Sequence, residues 1–276
     1  MYKGRVFDNH FHLNPGGNYK EAIGRFIKAG GTSINLTNLP LHDRTSGYYE
    51  NLYEWNIKMS EKIRSEFGIE VVVTIGPYPF DYQFFSNAGL DPINEMRHGL
   101  ELAAKLVSEE KADAIGEIGY PHIQVDKELM DVYTEMLSEA FEIAGNIDSP
   151  VILHTYDLDC KDYERLESLS SSFGKNVKVV KHHARPNDLK CNTHIFRSIG
   201  ASRKNVIEST ALSKKFLLET DFIDDPLYRN KYLPPDSVPK RALMIQQQIE
   251  NADELLYSIF EELPAHIYGR LKKTSF

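Results

Sequence analysis

The sequence reads Asp8-Asn9-His10-Phe11-His12-Leu13 close to its beginning. Side chains alternate between the two faces of a strand, so Asp8, His10 and His12 share one face while Phe11 and Leu13 lie on the other. Two imidazoles on one face, at the carboxyl end of a strand, are well placed to hold a metal ion. The alternative is a pair of surface histidines in a loop. Ligand-type residues at other strand ends favour the metal ion.

Strand and helix patterns alternate along the rest of the chain, and several strand candidates are continuous apolar runs that suit a buried parallel sheet. Helical patterns are clearest over Tyr19–Ala29, Lys127–Gly145 and Val238–Glu262. We predict eight strands, over Arg5–Leu13, Thr32–Asn38, Ile69–Pro77, Ala112–Tyr120, Pro150–Tyr156, Val177–His183, Asn205–Ser209 and Phe216–Phe222. Eight strands in 276 residues predict an α/β fold, a (β/α)₈ TIM barrel, as a single domain over residues 1–276. The irregular loop Phe222–Pro239 is expected to border the active site.

The composition is that of an ordinary water-soluble domain, with 41% hydrophobic and 26% charged residues. No apolar run approaches the roughly 20 residues that cross a membrane, and no signal peptide is recognisable. Cys160 and Cys191 are the two cysteines, so we expect neither a disulfide framework nor a cysteine metal cluster. This pattern favours a reducing, cytoplasmic setting. No obligate protein partner is evident.

The charge is unevenly distributed. The net charge of −8 argues against a protein that coats nucleic acid without specificity. Residues 175–241, however, contain 14 Lys and Arg against 7 Asp and Glu. This basic segment is either a face that attracts phosphate or a chance excess on solvated helices.

Further candidate ligands follow the other strands, at the end of a barrel where catalytic groups lie. Glu117 stands among apolar residues, and a buried carboxylate requires a cation or a metal. His154 ends the fifth strand, and Asp221 follows the apolar part of the eighth. His182 and His183 are adjacent, so only one of them faces inward. Nitrogen and oxygen ligands without thiolate suit one or two divalent ions, from Zn, Mn, Mg, Co, Ni or Fe.

Taken together, these motifs resemble the TatD-type metal-dependent hydrolases (TatD-related deoxyribonucleases) of the amidohydrolase superfamily. The resemblance covers nearly the whole chain, including Phe260–Gly269, which is similar to the closing helix of the family. It rests on Asp-x-His-x-His over residues 8–12, Gly-Glu-Ile-Gly over 116–119, Pro-Val-Ile-Leu-His over 150–154, a sixth-strand histidine and Glu-Thr-Asp over 219–221.

The resemblance implies a role for each candidate. His10, His12 and Asp221 would hold one metal, while His154 and His182 would hold the other, with His183 as the alternative to His182. The resemblance also implies that Glu117 bridges the two metals and that Asp221 acts as the general base. We further expect Arg185 and His122 to contact the substrate. His42, His98, His194 and His266 are interpreted as ordinary surface or core histidines.

The chain departs from the family pattern around the metal ligands. Tyr120-Pro121, Thr155-Tyr156 and His182-His183-Ala184 stand where the family commonly has Leu-Asp, Ser/Thr-Arg and His-Cys-Phe. Metal-dependent hydrolysis remains the expectation, whereas nuclease specificity is left open. The leading hypothesis is hydrolysis of a phosphodiester in a nucleic-acid end, including DNA 3′ ends, or in a small molecule. The alternatives are an amide, ester or lactone substrate, lyase chemistry, or a non-catalytic metal-binding barrel, against which Asp221 argues.

Overall fold

Parallel strands form one curled sheet in the computed structural model, which describes residues 2–41, 44, 45, 47–173, 177–225 and 232–271. The order along the sheet is β8-β7-β6-β5-β4-β3-β2-β1-β9. The strands are β1 Phe7–His12, β2 Ser33–Thr37, β3 Glu70–Ile75, β4 Ala114–Gly119, β5 Val151–His154, β6 Val179–Ala184, β7 Phe196–Gly200, β8 Leu217–Glu219 and β9 Phe222–Ile223.

The sheet closes on itself at β8 and β9. β8 pairs with β7, whereas β9, two residues further on, pairs with β1. Between them, the Asp221 amide donates to the His10 carbonyl oxygen at 3.0 Å, and Asp221 adopts a left-handed backbone with φ of 50°. β8 and β9 are therefore two halves of one eighth strand, and the predicted TIM-barrel fold is confirmed.

Helices cover the outside of the barrel. Two of them begin at side-chain caps that their sequences provide: Asp126 accepts from the Leu129 amide, and Asp159 forms a capping box with Asp162. The α-helices are α1 Tyr19–Lys28, α2 Tyr48–Phe67, α3 Asp81–Asn87, α4 Pro92–Ser108, α5 Lys127–Ile147, α6 Cys160–Ser171, α7 Arg203–Leu212, α8 Ser237–Gln248, α9 Ala252–Tyr257 and α10 Leu263–Ile267. A 3₁₀ helix covers Pro186–Lys190, and a π-helix covers Ser258–Glu262.

The predicted seventh strand is wrong. Residues Asn205–Ser209 lie inside α7, where the side chain of Ser202 caps the helix by accepting from the Asn205 amide. The seventh strand is Phe196–Gly200 instead. Its Arg197 and Ser198 interrupt the apolar pattern, so no strand is recognisable there from the sequence alone.

The helix predicted over Val238–Glu262 is also divided. It ends as α8 at Gln248 and resumes as α9 after Asn251, whose φ of 58° is left-handed and breaks the helical path. The loop Phe222–Pro239 begins as β9 and ends in α8, but its residues 226–231 lie outside the described residues, as does His42. None of the described helices is both long enough and apolar enough to cross a membrane.

Polar side chains inside the barrel fix the strands that carry the candidate site. Asp8 is completely buried and accepts from the Thr220 amide at 2.9 Å and the Thr220 hydroxyl at 2.7 Å. Asn9, also buried, accepts from the Tyr268 hydroxyl at 2.9 Å. These bonds join residues more than two hundred positions apart: the first two tie β1 to the end of β8, and the third ties β1 to the residue that follows α10.

The expectation of no disulfide is not met, because Cys160 and Cys191 are bonded to each other. Cys160 begins α6, and Cys191 directly follows the 3₁₀ helix. The loops after the neighbouring strands β5 and β6 bring the two residues together, which their separation of 31 residues does not reveal. Disulfides persist in oxidising compartments and in some hyperthermophiles. The cytoplasmic setting therefore remains a prediction.

Removing this disulfide is expected to destabilise the protein without unfolding it. Cross-linking a loop of 31 residues destabilises the unfolded chain by about 3.7 kcal/mol. Cys191→Ser and Cys160→Ser should each lower the free energy of unfolding in urea by that amount. Dithiothreitol should destabilise the wild type equally and leave both variants unchanged. An effect of dithiothreitol on either variant would contradict this account.

Candidate metal centre

Six of the sequence-predicted residues meet at the carboxyl ends of the strands. β1 carries His10 and His12, β4 carries Glu117, β5 ends at His154, β6 carries His182, and Asp221 lies between β8 and β9. Except for His10, all of them line a cavity of about 760 Å³ at this end of the barrel. His10 lies beneath it and is fully buried. The structure therefore brings the six predicted metal ligands together.

The first half of the centre consists of His10, His12, Glu117 and Asp221. Their ligand atoms lie within 4.8 Å of one another. His12 Nε2 is 3.1 Å from His10 Nε2, 3.4 Å from Glu117 Oε1 and 3.5 Å from Asp221 Oδ1. His10 Nε2 also contacts Glu117 Oε1 directly. The other nitrogen of His12 faces the Thr37 carbonyl oxygen at 3.0 Å, which fixes the orientation of the ring.

The second half of the centre is formed by Glu117, His154 and His182, whose ligand atoms also lie within 4.8 Å of one another. His154 Nδ1 lies 2.9 Å from His182 Nε2 and 3.4 Å from Glu117 Oε2. Glu117 Oε1 meets His10 and His12 and lies 3.8 Å from His182 Nε2, whereas Oε2 faces His154. It is the side chain that joins the two halves.

The buried polar atoms around these clusters fit a divalent cation. His10 Nδ1, His182 Nδ1 and Glu219 Oε2 are buried, and each lacks a hydrogen-bond partner. The rings of His10 and His182 stack with their centroids 4.2 Å apart. Two imidazolium ions at this distance would repel each other. Imidazole nitrogens and carboxylate oxygens are a donor set for Zn²⁺ and its first-row neighbours. The residues present therefore suit one or two such ions.

The pKa values of the carboxylates and histidines of the centre are shifted in different directions. Burial alone would raise the pKa of Glu117 and Asp221, but the neighbouring histidines outweigh it and hold both pKa values well below their usual range. Burial and the charge of His10 lower the pKa of His182 to about 4, which favours the neutral ligand form. Burial would also lower the pKa of His12, but hydrogen bonds to Asp221 and Glu117 raise it to about 10.

The structure separates the two adjacent histidines of β6. The His182 side chain is 3% exposed and lies inside the centre, whereas that of His183 is 69% exposed. His183 has a left-handed backbone, with φ of 52°. Its Nδ1 lies 3.6 Å from Asp221 Oδ2, and this contact raises the pKa of His183. His183 therefore contacts Asp221 from the cavity rim, and His182 occupies the position facing His154.

The two predicted substrate contacts are placed differently. His122 lines the cavity, and its Nδ1 lies 3.5 Å from His154 Nε2. Burial and the charge of His154 lower the pKa of His122. Arg185 is not among the described residues that line this cavity. Its guanidinium instead donates to Asp188 at 3.1 Å and to the Leu158 carbonyl oxygen at 2.6 Å. A substrate-binding role for Arg185 is therefore not supported by its position.

Sequence analysis did not identify Tyr78, which follows β3 and lines the cavity. Its hydroxyl lies 3.4 Å from His154 Nε2, and the two rings meet edge to face at 4.8 Å. The Tyr78 amide donates to buried Asp81 at 2.9 Å, and Asp81 pairs with Arg44, which also lines the cavity. Tyr78 and Asp81 follow β3 whereas Arg44 follows β2, and no spacing motif connects them, so the sequence alone offers no signal for this group.

Comparisons with known proteins agree with this geometry. The family model described as TatD related DNase matches residues 7–269. An uncharacterized protein of Methanocaldococcus jannaschii is 27% identical over 270 residues, which are 95% of each chain. A TatD-family hydrolase from Entamoeba histolytica has a TM-score of 0.62 at 16% identity, covering 97% of this chain and 99% of its own. A TatD-like protein from Archaeoglobus fulgidus also has a TM-score of 0.62, at 19% identity, covering 95% and 98%. The predicted resemblance is confirmed, and this chain belongs to the TatD-related DNase family.

Proposed function

We propose that this protein is a metal-dependent hydrolase that cleaves phosphodiester bonds at a nucleic-acid end or in a small molecule. We also propose that residues 1–276 act as one domain in the cytoplasm. The observation that carries the enzymatic proposal is the position of Glu117 between two groups of ligand atoms. A pair of metal positions sharing a carboxylate suits in-line displacement at phosphorus, where an attacking and a leaving oxygen both need stabilisation.

The residues divide the chemical work between them. His10, His12 and Asp221 would hold one ion, His154 and His182 the other, and Glu117 both. Bound divalent ions supply Lewis-acid stabilisation and lower the pKa of a water molecule. The Asp221 carboxylate, which faces His12 through Oδ1 and His183 through Oδ2, would accept the proton of the attacking water. His183, in contact with Asp221 Oδ2 and open to solvent, offers that proton a path out of the cavity.

Metal analysis combined with a substrate screen tests the proposal. The purified protein, loaded with each candidate ion in turn, should bind one or two ions per chain. It should hydrolyse bis(p-nitrophenyl) phosphate faster than p-nitrophenyl phosphate, a lactone or an anilide. Single-stranded oligonucleotides labelled at either end report whether DNA is attacked from the 3′ side. A metal-loaded protein that cleaves the lactone or anilide but no phosphodiester would replace this proposal with the second candidate.

The second candidate is hydrolysis of an amide, ester or lactone, and the charge of the cavity favours it. Among the described lining residues, Arg44 is the one Lys or Arg, whereas Glu117, Asp157, Asp221 and Asp225 are acidic. A long polyanion such as duplex DNA normally meets many more cations. The acidic lining of the cavity is compatible with a nucleic-acid end that binds mainly through the metal ions. It is equally compatible with an uncharged substrate.

Replacing Tyr78 with phenylalanine should weaken metal binding while leaving the fold intact. The Tyr78 hydroxyl faces His154 Nε2 at 3.4 Å, and outer partners of ligand histidines commonly contribute 10-fold to 100-fold to metal affinity. We expect the dissociation constant for the ion that His154 would hold to rise by about 10-fold, measured by calorimetry. Tyr82→Phe, on the neighbouring helix α3, serves as the control. Unchanged metal affinity in Tyr78→Phe would show that the hydroxyl does not orient His154.

A further inference from the structure

The helical layer around the barrel is incomplete between β6 and β7. In the described part of the chain, all the remaining pairs of consecutive strands from β1 to β8 are joined through at least one α-helix. The connection between β6 and β7 contains only the 3₁₀ helix Pro186–Lys190. A groove of about 490 Å³ lies beside the gap. The end of α6, the beginnings of β6 and β7, and α10 contribute to its walls. The groove lies at the amino-terminal ends of the strands, opposite the metal centre.

Positive charge predominates in this groove. Lys178, Arg197 and Lys215 line it, and Glu167 is the one carboxylate among its described lining residues. Glu167 is already occupied, since it accepts from the His194 amide at 2.9 Å. Lys178 meets Asp148 at 3.8 Å, but that carboxylate is 90% exposed and such a pair contributes little. For Arg197 and Lys215, the described residues provide no carboxylate at ion-pair distance.

Arg197 supplies a second, independent observation. Its Nη1 donates to the carbonyl oxygens of Thr193, at 3.2 Å, and of Ile195, so the guanidinium is held in place. Its Nε is buried and has no hydrogen-bond partner. A buried donor without an acceptor costs about 1–3 kcal/mol, and native structures rarely leave one unexplained. An oxyanion that enters the groove would meet this fixed guanidinium at the wall.

We propose that this groove binds a small phosphate-bearing anion at a site separate from the metal centre. Its volume falls within the usual range for small-ligand sites, and a fixed guanidinium suits the oxygens of a phosphate. The rings of Phe196 and His266, 5.7 Å apart, provide flat surfaces for a planar group on the same ligand. The three cations of the groove all belong to the basic segment 175–241, and no Lys or Arg of this segment is among the described residues that line the metal-centre cavity.

Calorimetric titration of inorganic pyrophosphate into the metal-free, full-length protein tests the site. We expect one binding event per chain at low salt. The double variant Lys178→Glu/Lys215→Glu should weaken the affinity at least 10-fold. Arg197→Lys, which keeps the charge but loses the guanidinium, should weaken it by several-fold. The control Lys204→Glu reverses the charge of an exposed lysine on α7, in the same basic segment, and should change the affinity less than 2-fold.

Two comparisons define how the proposal fails. If Lys204→Glu weakens binding as much as the double variant does, the protein attracts pyrophosphate only through its general charge. If His154→Ala abolishes binding while the double variant retains it, the anion occupies the metal centre. Absence of binding to the wild type also overturns the proposal. Titration of AMP and of inorganic phosphate in parallel shows whether the ring faces contribute, in which case AMP binds more tightly.

Discussion

Asp221→Asn is expected to reduce kcat by about 10²–10⁴. The carboxylate is proposed to accept the proton of the attacking water, and an amide cannot do so. The asparagine oxygen still faces His12, so metal should remain at least partly bound. Both kcat at saturating metal and metal content need to be measured on the same sample. This pairing separates loss of the base from loss of the ion.

Asp225→Asn is the matched control for this experiment. Asp225 lines the same cavity and accepts from the Asn14 side chain at 3.1 Å, but it lies outside the predicted ligand set. The kcat of the Asp225→Asn variant should stay within a few-fold of that of the wild type. A near wild-type kcat in Asp221→Asn would exclude Asp221 as the base, and His122, which lines the cavity beside His154, would then be the next residue to test.

The sequence was sufficient to predict the family, the barrel and the set of residues that meet at its centre. Such inference works where a strand pattern and its chemistry coincide, as at His10 and His12, or where a carboxylate stands among apolar residues, as at Glu117. The structure adds that His182, and not His183, faces His154. The roles of these residues as ligands remain predictions.

Other features depend on contacts between segments that are remote in sequence. The Cys160–Cys191 disulfide and the approach of Tyr78 to His154 arise only once neighbouring strands bring their loops together. Asp188, three residues after Arg185, binds its guanidinium locally, a contact that no sequence pattern indicates, and the contact of Arg185 with substrate remains a prediction. β7 was missed because Arg197 and Ser198 break its apolar pattern.

Glu117→Gln should have the broadest effect of any single substitution, because Glu117 is the residue that both halves of the centre share. Outer partners of metal ligands already contribute 10-fold to 100-fold to affinity, so loss of a shared ligand charge should weaken metal binding at least about 100-fold. We expect metal content to fall in both positions and hydrolysis to become undetectable. Glutamine preserves the shape of the side chain, and circular dichroism should therefore show an unchanged fold.

His154→Ala distinguishes a shared ligand from an ordinary one. His154 contacts Glu117 Oε2 and His182 but belongs to the second half alone. If Glu117 joins the halves, His154→Ala should lose one ion and retain the other, whereas Glu117→Gln should lose affinity for both. This contrast requires titration of each metal-free variant and of the wild type with the same ion. If Glu117→Gln instead retains one tightly bound ion, as expected for His154→Ala, then Glu117 serves a single metal position and the bridging role is wrong.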